Sequence, residues 1–178
     1  MQSDATATIV PKKRFWIFFV LAVAAYFLMR YLSGQLTGKT IIDFEMAKTV
    51  AVVESMMEGW GVSGIERFLK STYGDFLFIV GYTGALFYGC RYFGRLAGNY
   101  ILQKAGKIFS FLAIVAGLSD VIENICMIYT LKNSRVEWVT HFTYDLARIK
   151  FSLIFILIIY ILICLLFWAI DRLASTKK

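Results

Sequence analysis

The sequence Gly117-Leu-Ser-Asp-Val-Ile-Glu-Asn-Ile-Cys-Met-Ile-Tyr129 places two carboxylates and an amide inside an otherwise apolar segment, residues 108–131. Asp120, Glu123 and Asn124 are spaced i, i+3 and i+4, so a helix presents all three on one face. A charged side chain at the centre of a membrane helix is disfavoured by about 2.5–3.5 kcal/mol on insertion scales. We therefore expect the rest of the chain to supply polar partners for this face.

The composition of the chain is strongly apolar. Of its 178 residues, 59% are hydrophobic, and the mean hydropathy is +0.67. Soluble domains are usually about 45–50% apolar. The net charge of +7 comes from basic residues that flank the apolar blocks, which argues against a nucleic-acid-binding face. Three scattered cysteines provide no disulfide or zinc spacing, and we expect no metal and no cofactor.

Four apolar segments are long enough to cross a bilayer. They lie at about 15–33, 71–90, 108–131 and 150–170. The first could begin a signal peptide, but its apolar stretch exceeds the ~7–15 residues of a cleaved one. Small residues recur at every fourth position of the second segment, a pattern typical of close helix contact. The sequence thus predicts an all-α fold, a polytopic membrane four-helix bundle in a single domain, residues 1–178.

The segment at about 41–60 is too polar to span a membrane. Apolar residues recur there at helical spacing, and charged residues such as Glu45 occupy most of the remaining surface. This pattern predicts an extra amphipathic helix between the first and second spans, ending near Gly61. One interpretation is that this helix lies on the bundle or at the membrane interface, with Trp60 as an interfacial anchor. The other is that it forms a lid over a site.

Basic residues are distributed unequally between the two sides of the predicted spans. Three precede the first span, and four, with no acidic residue, connect the second to the third. The connector at 34–70 instead carries four basic and five acidic residues. By the positive-inside rule, both termini lie in the cytoplasm and the amphipathic helix lies on the outer side. We predict a multi-pass bacterial inner (cytoplasmic) membrane protein in contact with membrane lipids.

This topology brings polar residues from three spans into the outer half of the bundle. Asp75 falls about one turn inside the second span, and Asp120 lies about 20 Å along the third at 1.5 Å per residue. Intramembrane ionisable residues normally point inward and pair with one another. The predicted polar cluster, or ligand site, consists of Asp75, Asp120, Glu123, Asn124, Tyr144, Arg148 and Lys150.

Three uses of this cluster remain open. It can lock the helices together, form a pocket for a lipid or another amphiphile, or carry out acid–base chemistry. Two buried carboxylates one turn apart repel, so one can stay protonated as an acid while the other acts as a base.

The residues favour a non-catalytic accessory or lipid-binding protein, acting alone, in a larger membrane complex or as a homo-oligomer. The alternative is a small membrane enzyme acting on an apolar substrate, or a proton-coupled carrier, that uses Asp120 and Glu123. Enzymatic activity is not predicted, because the cluster is accompanied by no catalytic triad order, phosphate loop or metal-ligand spacing.

Three short motifs carry a resemblance to other proteins. They are Tyr73-Gly74-Asp75-Phe76 with Gly81-Tyr82, Ala116-Gly-Leu-Ser-Asp-Val-Ile-Glu-Asn124, and Lys150-Phe151, within about residues 40–165. Together they resemble an uncharacterised family of bacterial four-helix integral membrane proteins, which implies a four-helix fold and no particular activity. In outline the chain is also similar to EXPERA membrane proteins, which carry carboxylates in an intramembrane cavity. That likeness implies a pocket and nothing more.

Overall fold

The chain is all-helical over the part described by the computed structural model, which is residues 2–34, 40–133 and 135–175. The helices in this part are α1 (Gln2–Ser33), α2 (Ile41–Glu45), α3 (Val50–Leu96), α4 (Tyr100–Lys132) and α5 (Glu137–Ser175). The all-α prediction is therefore confirmed.

Three helices in the described part of the chain are long and apolar enough to cross a membrane. They are Pro11–Ser33 of α1, Tyr100–Lys132 and Glu137–Ala174. They contain the predicted spans at 15–33, 108–131 and 150–170. The predicted span at 71–90 is the middle of α3 and is not among the three, because its glycines, tyrosines and threonines lower its hydropathy. A fourth span therefore stays a prediction.

Helix α1 packs antiparallel to α3. Gly74 of α3 faces Leu32, near the end of α1, whereas Gly89 faces Phe15, closer to its beginning. The segment of α3 between these two glycines thus runs beside the length of α1 that is apolar enough to span a membrane.

Helix backbones approach closely where α3 and α4 present small residues. A Cβ atom added to Gly81 would lie 2.7 Å from the backbone nitrogen of Ala22. A Cβ atom added to Gly117 of α4 would overlap the side chain of Thr83. Glycine therefore allows close packing at both positions, and for Gly81 the spacing in the second predicted span indicates this use.

The amphipathic helix predicted at 41–60 is not confirmed as a single helix. Helices α2 and α3 are separate elements, joined by a non-helical connection at 46–49. Helix α2 begins with a capping box, in which Thr40 and Asp43 each bond to the other's backbone amide. Helix α3 then kinks at Gly61, whose φ of +61° and ψ of −176° suit glycine alone.

An aromatic core lies beneath this kink. The rings of Phe44 and Trp60 have centroids 5.8 Å apart, and the ring of Phe68 lies within 5.1 Å of both. Val53 and Met57, on the predicted apolar face, are buried in the same core. Trp60 therefore packs inside the protein, and its predicted role as an interfacial anchor is wrong.

Candidate functional site

Lys150 is buried at the centre of the polar cluster. Its ammonium nitrogen, Nζ, lies 2.9 Å from Oδ1 of Asp120 and 3.0 Å from both carboxylate oxygens of Glu123. A third carboxylate, that of Glu45, lies 3.3 Å from the same nitrogen through its Oε2 atom. Because an ammonium carries three hydrogens, these three carboxylates use the whole donor capacity of Lys150.

Helix α4 supplies two of these carboxylates from one face, as the spacing of Asp120 and Glu123 predicts. Asp120 also accepts a hydrogen bond of 2.8 Å from the hydroxyl of Tyr82 on α3. The side chain of Glu123 is 0% exposed. A charge so deeply buried is stable only when it is paired, and Lys150 provides the pair.

Asp75 is held by an amide and not by a cation. The Nδ2 atom of Asn124 donates a hydrogen bond of 2.7 Å to Oδ2 of Asp75. Among the described residues, the ion pairs of the cluster all involve Lys150, and none reaches Asp75. The carbonyl oxygen of Asn124 is buried without a hydrogen-bond partner in the same part of the chain. The Oε2 atom of Glu123 is also buried without a hydrogen-bond partner there. Asp75 thus differs from the other three acidic residues of the cluster because it has no ion pair with Lys150.

Two members of the cluster are absent from the sequence-based prediction. Glu45 is placed on the polar surface by its helical pattern, yet it is only 7% exposed and contacts Lys150. Burial raises the pKa of Glu45, and the attraction of Lys150 opposes this rise. Tyr82 lies seven residues after Asp75, which is two helical turns, so both side chains share a face. That spacing is the signal that identifies Tyr82.

Two predicted members, Tyr144 and Arg148, lie outside the cluster. Arg148 is exposed, and its guanidinium carbon lies 5.6 Å from the ring centroid of Tyr144. The Nζ atom of Lys48 lies 4.8 Å from the same ring centroid. Residues two apart on a helix do not share a face, so α5 cannot direct both Arg148 and Lys150 toward the carboxylates.

A cavity of about 570 Å³ opens beside the cluster. The polar side chains that line it include Arg30, Glu45, Asp75, Tyr82, Asp120 and Lys150. The apolar side chains that line it include Met29, Ile41, Phe78, Phe151 and Ile154. Small-molecule pockets have volumes of about 300–1,000 Å³, so this cavity has the size of a ligand site and a lining of both kinds.

The cavity brings together only part of the cluster. Asp75 and Asp120 line it, whereas Glu123 lies behind Lys150 and does not. In the described part of the chain, no group of three histidine, cysteine or acidic side chains is arranged to hold a metal ion. The polar groups that line the cavity are the carboxylates, the hydroxyl groups of Tyr82 and of serine and threonine side chains, and the cations Arg30 and Lys150.

Comparisons of this chain with protein-family models, with curated proteins and with solved structures give no match. The resemblances drawn from the short motifs therefore stay predictions.

Proposed function

We propose that this chain is a polytopic membrane protein that binds a lipid or another amphiphile in the cavity that side chains of all five helices line. The observation that carries the proposal is that one cavity of about 570 Å³ is lined by both ionic and apolar side chains. An amphiphile has both a polar head and an apolar chain, so it matches both kinds of lining at once. A polar network that serves only to lock helices together needs no such space.

We propose further that binding is not followed by catalysis. Acid–base chemistry or proton transfer through Asp120 and Glu123 requires that both carboxylates reach a substrate or exchange protons. Lys150 instead contacts both of them, at 2.9 Å and 3.0 Å. A membrane enzyme or a proton-coupled carrier would first have to move this ammonium away, and two buried carboxylates would then repel each other.

The proposed protein crosses the bacterial inner membrane four times, with both termini in the cytoplasm. The antiparallel packing of residues 74–89 of α3 along α1 supports a fourth crossing, because the two segments then share the same depth. The basic flanks support the orientation. Reporter fusions after Lys178 and within residues 61–66 test it. A C-terminus on the outer side would contradict the proposed topology.

The binding proposal is tested by filling the cavity from α5. Ile154 lines the cavity, whereas Ile158, one turn further along the same helix, is exposed. We expect native mass spectrometry of the detergent-purified protein to detect a bound amphiphile. Ile154→Trp should abolish that adduct, and the matched control Ile158→Trp should keep it. An adduct that both variants retain equally would contradict binding in this cavity.

A further inference from the structure

We infer that the ligand of this cavity carries a primary ammonium group, and that this group binds to the carboxylate of Asp75. The inference rests on the proposed function and specifies the head group of the amphiphile. It follows from a count of the charges and hydrogen-bond donors that line the cavity.

The cation inside the cluster is already fully used. The three hydrogens of the Lys150 ammonium match three carboxylates, at Glu45, Asp120 and Glu123. A ligand in the cavity therefore finds no free donor on Lys150. The side chains that line the cavity include three acidic residues, Glu45, Asp75 and Asp120, against two basic ones, Arg30 and Lys150. This lining favours a cationic group over an anionic one beside the acidic residues.

Of the three acidic residues that line the cavity, Asp75 is the one without an ion pair to Lys150, so it is best placed to receive such a head group. It lines the cavity and is 9% exposed. Its Oδ2 atom accepts a hydrogen bond from Asn124, and its Oδ1 atom accepts none from the described residues. A primary ammonium provides the missing charge together with three N–H donors. An anionic head group at this place would lie against the carboxylates of Asp75, Glu45 and Asp120.

The inference is tested with lysophospholipids that share one lauroyl chain. Lysophosphatidylethanolamine carries the ammonium and is zwitterionic, whereas N-acetylated lysophosphatidylethanolamine and lysophosphatidylglycerol both lack it and are anionic. Each is titrated into the full-length protein in a neutral maltoside detergent, and binding is followed by microscale thermophoresis. We expect the ammonium lipid to bind the unaltered protein at least about tenfold more tightly than the other two, as for a hydrogen bond to a charged group.

Two variants, each of which replaces one carboxylate, identify the residue that causes the preference for the ammonium lipid. Asp75→Asn keeps the shape of the side chain and should remove the preference for the ammonium lipid. Asp145→Asn removes the same charge from an exposed position on α5 and should leave the preference intact. If Asp75→Asn does not fold, the ranking of the three lipids on the unaltered protein decides whether the cavity prefers an ammonium group.

The outcomes separate the two proposals. Equal binding of all three lipids would overturn the ammonium inference and leave an amphiphile-binding cavity. No binding of any lipid would overturn both. Glycerophosphoethanolamine, which has the same head group without the acyl chain, tests for a soluble ligand. It should bind at least about tenfold more weakly than its lauroyl counterpart, and equal affinity would overturn the assignment to an amphiphile.

Discussion

The ammonium nitrogen of Lys150 lies 3.0 Å from each carboxylate oxygen of Glu123, and the Glu123 side chain is fully buried. This contact joins α5 to α4. Taking two charges out of water is costly, so each is tolerated only because the other is present. Lys150 holds Asp120 and Glu45 in the same way, so removing this one ammonium affects three elements at once.

The first prediction concerns the loss of that ammonium. Lys150→Met keeps an unbranched side chain of similar length but leaves three buried carboxylates without a cation. We expect it to lower the free energy of unfolding by at least about 3–5 kcal/mol, the range for breaking a buried pair. Thermal unfolding in detergent, followed by circular dichroism, measures the change.

Arg148→Met is the matched control for Lys150→Met, because Arg148 is exposed on the same helix and lies over the ring of Tyr144. Its effect should stay within about 1 kcal/mol, as for a surface charge. Equal melting temperatures for the two variants would mean that Lys150 does not neutralise the buried cluster.

The second prediction concerns the coupling between Glu123 and Lys150. Glu123→Gln removes one buried charge and keeps the shape of the side chain, whereas the double variant with Lys150→Met removes the contacting pair. We expect the double variant to be less destabilised than the sum of the single variants. Directly contacting residues typically show interaction energies of about 0.5–3 kcal/mol. Additive melting shifts in the same detergent would show that the two side chains are not coupled.

The third prediction concerns the contact between α1 and α3. Gly81→Ala would force its Cβ atom against the backbone of Ala22, at 2.7 Å, so the two helices must move apart. We expect a loss of about 1–3 kcal/mol, as for overpacking of a core. Gly59→Ala is the control, since nothing lies within 4 Å of the added atom. It should be neutral or stabilise α3 by up to about 1 kcal/mol.

The sequence predicts the part of the cluster that depends on helical spacing. Asp120, Glu123 and Asn124 share a face because of their i, i+3, i+4 pattern, and the structure directs all three toward polar partners. Lys150 is predictable as well, because a cation at the start of a long apolar helix needs a counter-charge. Both predictions depend only on the cost of burying charge and on the geometry of a single helix.

The position of Glu45 depends on contacts that no local pattern records. Its helical spacing places it on the polar face of a helix that extends from 41 to 60. The break at 46–49 gives α2 its own direction and brings Glu45 over Lys150, 105 residues away in sequence. Arg148 lies outside the cluster because of its position on its own helix. It is two residues before Lys150, so the orientation of α5 that buries Lys150 leaves Arg148 exposed.

The last prediction separates a role in binding from a role in packing, and it uses two buried tyrosines. The hydroxyl of Tyr82 donates a hydrogen bond of 2.8 Å to Asp120 at the cavity wall. The hydroxyl of Tyr160 donates one of 2.7 Å to the backbone oxygen of Leu102, away from the cavity. Tyr82→Phe and Tyr160→Phe therefore each remove one hydroxyl from a buried hydrogen bond.

Both variants should lower the free energy of unfolding. We expect a loss of about 1.5–3 kcal/mol for Tyr82→Phe, whose acceptor is charged, and about 0.5–1.5 kcal/mol for Tyr160→Phe, whose acceptor is a carbonyl. Only Tyr82→Phe should also change the amphiphile that co-purifies with the protein, because Tyr82 lines the cavity and its hydroxyl helps to orient Asp120. Melting curves and native mass spectrometry on the same preparations measure the two effects. If Tyr82→Phe lowers stability while the bound amphiphile matches that of Tyr160→Phe in kind and amount, the hydroxyl of Tyr82 stabilises the bundle without contributing to binding.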